Sequence, residues 1–97
     1  MKINKTLNGS ALTLAVEGRL DTTTAPELEQ EIKSSLDDVT ELVMDFAKLD
    51  YISSAGLRVL LSAHKMMKKD GMKVIHANQM VMEVFEVTGF ADILNIE

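Results

Sequence analysis

Along the first half of the chain, apolar and polar residues alternate with period two, and helical spacing takes over between those stretches. In residues 11–17, Leu12, Leu14 and Val16 fall on one side and Thr13 and Glu17 on the other. This is the pattern of a strand buried on one face. Leu42, Met44 and Phe46 repeat it against Val43 and Asp45 in a third strand. Asn8-Gly9, between strands at 2–7 and 11–17, reads as a hairpin turn because both residues tolerate the positive φ a tight turn needs. A first helix is predicted to open at Thr24-Ala25-Pro26-Glu27, with capping-box spacing and a proline in the first turn, and to bury Leu28, Ile32 and Leu36. A second carries Leu57, Leu60, Leu61 and His64 at i, i+3, i+4 and i+7, runs to about Lys69 and stops before Asp70-Gly71. A strand at 72–77 leads to a third helix, capped by Asn78, buried through Val81, Val84, Phe85 and Thr88, and ended by Gly89 with Phe90 folding back on it. Residues 93–96 are expected to form a last short strand.

One-sided alternation predicts a sheet covered on one face only. Right-handed crossovers that add each strand on the same side put every helix on that face. The expected fold is α/β: a single domain over residues 1–97, a mixed β-sheet with helices packed on one face.

Composition narrows the function classes. Ninety-seven residues, 46% of them hydrophobic, supply one modest core. Without cysteine there is no disulfide framework and no thiolate zinc site. No apolar run reaches signal-peptide or membrane-spanning length, so a cytoplasmic protein without membrane insertion is expected. A net charge of −5 argues against a nucleic-acid partner. The one basic cluster, Lys65, Lys68 and Lys69, reads as cations complementing the end of a helix dipole.

Candidate chemistry concentrates in Asp50-Tyr51-Ile52-Ser53-Ser54-Ala55-Gly56-Leu57-Arg58-Val59-Leu60-Leu61, which places two hydroxyls and a glycine where an apolar strand meets an amphipathic helix. At a helix N-terminus the free N–H groups and the dipole favour negative charge, so a phosphate added there changes the local charge and leaves the fold intact. The plainer reading makes Ser53 or Ser54 an N-cap. Catalysis finds little support. His64 lies ten residues along the helix from Ser54, about 15 Å at about 1.5 Å per residue. His76 has no acidic partner at a suggestive spacing and reads as a strand-end or core histidine. No nucleophile elbow, phosphate-binding glycine loop or paired-histidine motif is present. Asp21, Asp45 and Asp50 suggest Mg²⁺ as a group, but Asp21 and Asp50 suit turns equally. No intrinsic activity, cofactor or metal is expected.

The chain resembles the STAS domain, specifically stand-alone bacterial anti-sigma factor antagonists. Gly18-Arg19-Leu20-Asp21-Thr22-Thr23-Thr24-Ala25 looks like the family's Gly-x-Leu-Asp segment, residues 45–61 like its phosphorylation segment, and Val84-Phe85-Glu86-Val87-Thr88-Gly89-Phe90 like its closing helix. The family's Asp-Ser-(Ser/Thr/Ala)-Gly-Leu, aligned on Gly56-Leu57, puts Ser54 on the phosphorylated serine and Ser53 where aspartate is common, which leaves Ser53 as the alternative acceptor. Many relatives carry one more helix after the last strand, for which Glu97 leaves no room.

The resemblance implies a partner-switching cycle with an anti-sigma factor that is also an ATP-dependent serine kinase, and with a phosphoserine phosphatase. Because the kinase must reach Ser54, its contact is expected to include Asp21, Thr22, Thr23, Ser53, Ala55, Gly56, Arg58 and Ser62, with Leu57, Leu60 and Leu61 facing the sheet. Arg58 stands about 400° around the helix from Ser54, on nearly the same face. Gly56 either avoids a clash with an incoming phosphate or partner backbone, or permits tight helix–sheet packing. Two other classes stay open. One is a non-phosphorylated STAS subunit of a transport or sensory complex. The other is a small-ligand module for a nucleotide or lipid, with Met66, Met67, Met80 and Met82 either lining a greasy site or filling the core.

Overall fold

The computed structural model, which describes residues 1–67 and 71–97, is a mixed α/β domain built on one five-stranded sheet. Strands β1 (Lys2–Asn8) and β2 (Ala11–Leu20) form the hairpin, turning at Gly9 with φ +64°. Then follow α1 (Ala25–Ser35), β3 (Glu41–Asp45), β4 (Leu49–Ile52), α2 (Ser54–Met66), β5 (Met72–Ile75) and α3 (Gln79–Thr88). The long β2 is the spine. It pairs antiparallel with β1 and, on its other edge, parallel with β3 along Ala11–Ala15 and with β4 along Gly18–Leu20. β5 adds in parallel outside β3.

Three features of the strands depart from the sequence expectation. β3 and β4 are separated by a turn in which the Leu49 N–H donates to the Phe46 carbonyl at 3.0 Å, and β4 then continues along β2. The expected strand at 93–96 is replaced by a short 3₁₀ turn at Phe90–Asp92 and a single bridge between Ile96 and Val74. β5 stops at Ile75 rather than at residue 77, because His76 takes φ +62°, outside the extended region.

The one-sided pattern holds on β2 and less cleanly on β3. Leu12, Leu14, Val16, Leu20, Leu42, Met44 and Phe46 are all buried, while Thr13, Ala15 and Glu17 on the opposite face of β2 stay partly exposed; on β3 Val43, expected on that opposite face, is buried as well. The buried row meets Leu28 and Ile32 of α1, Leu57, Val59, Leu60 and Ala63 of α2, and Val81 and Phe85 of α3 in one cluster. Fully burying a side chain of this size is worth about 1.5–3 kcal/mol, so these contacts, more than helix propensity, hold the helices.

The helix ends show how local chemistry met expectation. The capping box at Thr24 and Glu27 does not form. The Thr24 hydroxyl instead donates to the Arg19 carbonyl at 2.7 Å and accepts from the Asp21 N–H at 2.9 Å, tying α1 to the end of β2. Leu36 follows the last turn of α1 and is half-buried. α2 ends at Met66, short of Lys69; Lys68, Lys69 and Asp70 lie outside the described residues. Its buried face is Gly56, Leu57, Val59, Leu60 and Ala63, with Leu61 and His64 only half-buried. The helix is rotated relative to the i, i+3, i+4 expectation because it packs on α1 as well as on the sheet. Asn78 caps α3 as expected, accepting from the Val81 N–H at 2.8 Å, and its amide also donates to the Leu49 carbonyl at 3.0 Å, joining α3 to β4. Gly89 ends the helix at φ +81°. Thr88 is exposed, and its hydroxyl donates back to the Val84 carbonyl.

Gly56 is where α2 comes nearest the sheet. A Cβ there would stand 2.7 Å from Leu20 Cγ and 2.8 Å from Ile52 Cγ1. Gly56→Ala should therefore destabilise the domain by up to about 2 kcal/mol, the overpacking cost less the gain in helix propensity. Urea unfolding checks this, and a variant as stable as the parent would show the contact to be slack. A second expectation concerns acid. Burial pushes the Asp45 carboxyl up, but hydrogen bonds from His76 and from the Ala47 N–H outweigh it and hold the group below its usual range. A carboxyl lowered in the folded state stabilises above its unfolded pKa of about 4, and that contribution is lost as pH falls through the folded value. Asp45→Asn should flatten the fall of melting temperature with pH below about pH 4, and an unchanged acid limb would rule the pair out as a contributor.

Candidate functional site

The join of β4 to α2 puts the two serines in different environments. Ser53 continues the strand direction (φ −104°, ψ 177°), donates its N–H to the Leu20 carbonyl at 2.9 Å and accepts from the Leu57 N–H at 3.0 Å through its own carbonyl. Its hydroxyl is buried without a hydrogen-bond partner among the described residues, so it holds the N-cap position without capping. Ser54 begins the helix and is exposed.

Beside them lies the loop from β2 to α1. The Asp21 carboxylate accepts from the N–H groups of Thr23 (3.0 Å) and Thr24 (3.1 Å). The Thr24 N–H above all holds its carboxyl below the usual range, with help from the Thr23 N–H and from the Arg19 guanidinium, 3.6 Å away at Nε. Asp21 is thus the lock of a turn. Arg19 also lies over the Tyr51 ring, 4.3 Å from its centroid. This cation–π contact bridges β2 and β4 next to the serines, and nothing in the linear sequence pairs those two residues. Thr22 and Thr23 are exposed at the tip of the loop.

Between the starts of α1 and α2 runs an open groove of about 430 Å³, lined by Thr22, Ala25, Pro26, Glu29, Gln30, Ala55, Arg58 and Val59. It brings together three of the expected contact residues, Thr22, Ala55 and Arg58. The other five, Asp21, Thr23, Ser53, Gly56 and Ser62, do not line it. Gly56 is buried against Leu20 and Ile52, so of its two readings tight packing holds and a place on the partner surface does not. Ser62 is half-buried farther along the α1–α2 seam, near Glu29, Ile32 and Lys33. Pro26, Glu29 and Gln30 of α1 were missed. Their i, i+3, i+4 spacing marks them as one helix face, but only the tertiary packing shows that this face borders α2.

The remaining candidates separate from the serines. His76 does have an acidic partner, contrary to the expectation from sequence: its Nδ1 lies 2.9 Å from Asp45 Oδ1, across 31 positions of chain. The pair closes the ends of β3 and β5, and Asp45 also accepts from the Ala47 N–H at 3.0 Å. Among the described residues, no three of His, Cys, Asp and Glu gather in a group able to hold a metal ion, so Asp21, Asp45 and Asp50 do not converge. The methionines share no common cavity: Met66 and Met67 sit at the end of α2 against Val39 and Thr40, while Met80 is exposed and Met82 half-buried on α3. No helix among the described residues is long and apolar enough to cross a membrane.

Comparison with known proteins bears on the family and the fold. A protein of Bordetella bronchiseptica named as an anti-sigma factor antagonist, BtrV, is 34% identical over 99 residues, covering 99% of this chain and 85% of that protein. The crystal structure of an anti-sigma factor antagonist from Mycobacterium paratuberculosis superposes with a TM-score of 0.88 at 24% identity, covering 98% of this chain and 83% of that one. The Bacillus protein SpoIIAA, 15% identical, superposes in its unphosphorylated form with a TM-score of 0.83, covering 99% and 88% of the two chains. Its phosphorylated form gives 0.75, covering 99% and 91%. The family model that describes the STAS domain matches residues 2–97, and the chain belongs to that family.

Proposed function

We propose that this chain is an anti-sigma factor antagonist that works by partner switching. Unphosphorylated, it binds an anti-sigma factor that is also a serine kinase. Phosphorylation of Ser54 releases it, and a phosphoserine phosphatase restores the first state. The observation that carries this reading is the contrast between the serines: the Ser54 side chain stands exposed at the start of α2, whereas the Ser53 hydroxyl is buried. A kinase reaches the first without unfolding the domain and does not reach the second. The name carried by BtrV supports the role, and SpoIIAA shows that a protein of this fold occurs in both phosphorylation states.

The chain then acts as substrate and ligand rather than as catalyst. Ser54 Oγ attacks the γ-phosphorus of the kinase's ATP, and the new O–P bond forms as the bond to the β-phosphate oxygen breaks. ADP leaves with that electron pair, and the serine proton passes to a base on the kinase. The product carries about −1.5 to −2 charges at neutral pH on three acceptor oxygens. Within the free domain the start of α2 tolerates this charge. Inside a complex it has to be desolvated, and an unpaired buried charge costs several kcal/mol. About 3 kcal/mol already weakens binding more than 100-fold.

Incubation with a candidate kinase and ATP, read by intact mass, tests the assignment. Ser54→Ala should abolish phosphate incorporation yet keep partner binding, since it leaves the surface small and neutral, and Ser53→Ala should still be phosphorylated. Ser54→Asp should weaken binding at least tenfold without lowering the melting temperature. Incorporation that persists in Ser54→Ala and vanishes in Ser53→Ala would move the acceptor to Ser53. Incorporation absent from the parent chain and from Ser53→Ala, with the kinase active on another antagonist, would favour a non-phosphorylated subunit of a transport or sensory assembly.

A further inference from the structure

Arg58 is the cation nearest to Ser54 along α2, and its surroundings leave it unengaged. It is exposed at the wall of the α1–α2 groove, and among the described residues it makes no salt bridge. The two acidic groups bordering this region are both occupied. Glu29, across the groove on α1, is held by Lys33 at 2.9 Å. Asp21, in the neighbouring loop, is taken by the Thr23 and Thr24 N–H groups and lies near Arg19. Ser54 and Arg58 are i and i+4 of one helix, which puts their Cβ atoms about 5–6 Å apart on one face. A phosphate extends Ser54 by a further bond toward solvent, and a guanidinium offers the planar fork that grips phosphate oxygens in pairs.

We propose that Arg58 is an internal clamp for the Ser54 phosphate, and that closing it withdraws the guanidinium from the groove. The inference rests on Ser54 as acceptor and adds how the modified state is recognised. Before phosphorylation Arg58 presents a free positive charge at the groove wall to an acidic group of the partner. Afterwards that charge is spent within the domain. Release then has two sources, a negative charge gained at residue 54 and a positive charge lost from the groove. The clamp also holds the phosphate in one orientation, which a phosphatase must open before it hydrolyses the ester.

The test needs no kinase. Phosphoserine is installed at position 54 during synthesis of the full chain, and its second ionisation is followed by ³¹P NMR in the parent, Arg58→Ala and Arg58→Lys. A cation at contact lowers that midpoint, so Arg58→Ala should raise it by about 0.3 pH unit, the size expected of an exposed i, i+4 pair. Lysine should restore part of the difference. The Arg58 Nε–H resonance should also shift over the same pH range in the phosphorylated protein and not in the unmodified one. Equal midpoints in the three proteins, or an Arg58 resonance blind to the phosphate, would overturn the clamp. Thermal melts confirm that the variants fold, as substitution of an exposed side chain allows. Because the phosphate is built in, the result stands apart from the kinase assay: a Ser54 that no kinase modifies would sink the proposed function, while an unmoved midpoint sinks only the clamp.

Discussion

The structure depends on the approach of α2 to the sheet at Gly56. The absence of a Cβ there lets the first turn of the helix rest on Leu20 at the end of β2 and on Ile52 at the end of β4. The Ser53 N–H bonds to the Leu20 carbonyl at the same point, so strand end, helix start and core are fixed together. Ser54 is held out toward solvent by that arrangement. A wider spacing would let the junction fray, and Ser54 would lose its fixed position. Close packing under the helix and a defined hydroxyl on top of it are two sides of one constraint.

A second constraint is the fastening of the β2–α1 loop. Sequence suggests a capping box at Thr24, but Thr24 and Asp21 use their side chains on each other's backbone and on the Arg19 carbonyl. Arg19 in turn lies on Tyr51. The loop that borders the groove is thereby anchored to both strands that flank Ser54, with Thr22 and Thr23 left exposed at its tip. Rigidity here lowers the ordering cost that a partner meets on binding.

Much of the fold was legible in the sequence because most of the core lies on elements with clean periodicity. Leu12, Leu14 and Val16 alternate, Leu28 and Ile32 repeat at helical spacing, and Asn78 and Gly89 mark the ends of α3 by chemistry that needs no tertiary context. What was not legible needed three-dimensional pairing. β4 is four residues long, and its place beside the end of β2 follows from a turn and a register shift near Gly18 that no local pattern signals. The face of α2 differs from expectation by a fraction of a turn, because the helix packs on α1 as well as on the sheet and buries Val59 and Ala63 along with Leu60. Asp45 and His76 are 31 residues apart, and adjacent parallel strands bring them together. At the candidate site the motif register pointed to Ser54, but the burial of the Ser53 hydroxyl and the α1 wall of the groove come only from packing.

The different surroundings of Ser53 and Ser54 would let the proposed switch coexist with a small domain. A 97-residue chain has only one core to spend, and a charge placed inside it would unfold the protein rather than redirect it. Ser53 sits at the edge of that core and keeps its hydroxyl out of reach. Ser54, one residue on, is past the strand and at the first exposed step of the helix. The change of direction from extended backbone to helix carries successive side chains from buried to exposed within a single peptide unit. A modification at the second position therefore alters the surface while leaving the contacts at Leu20, Ile52 and Gly56 untouched. If Ser54 is the acceptor, partner choice and folding are separated by one residue, and a charge added outside costs the inside nothing.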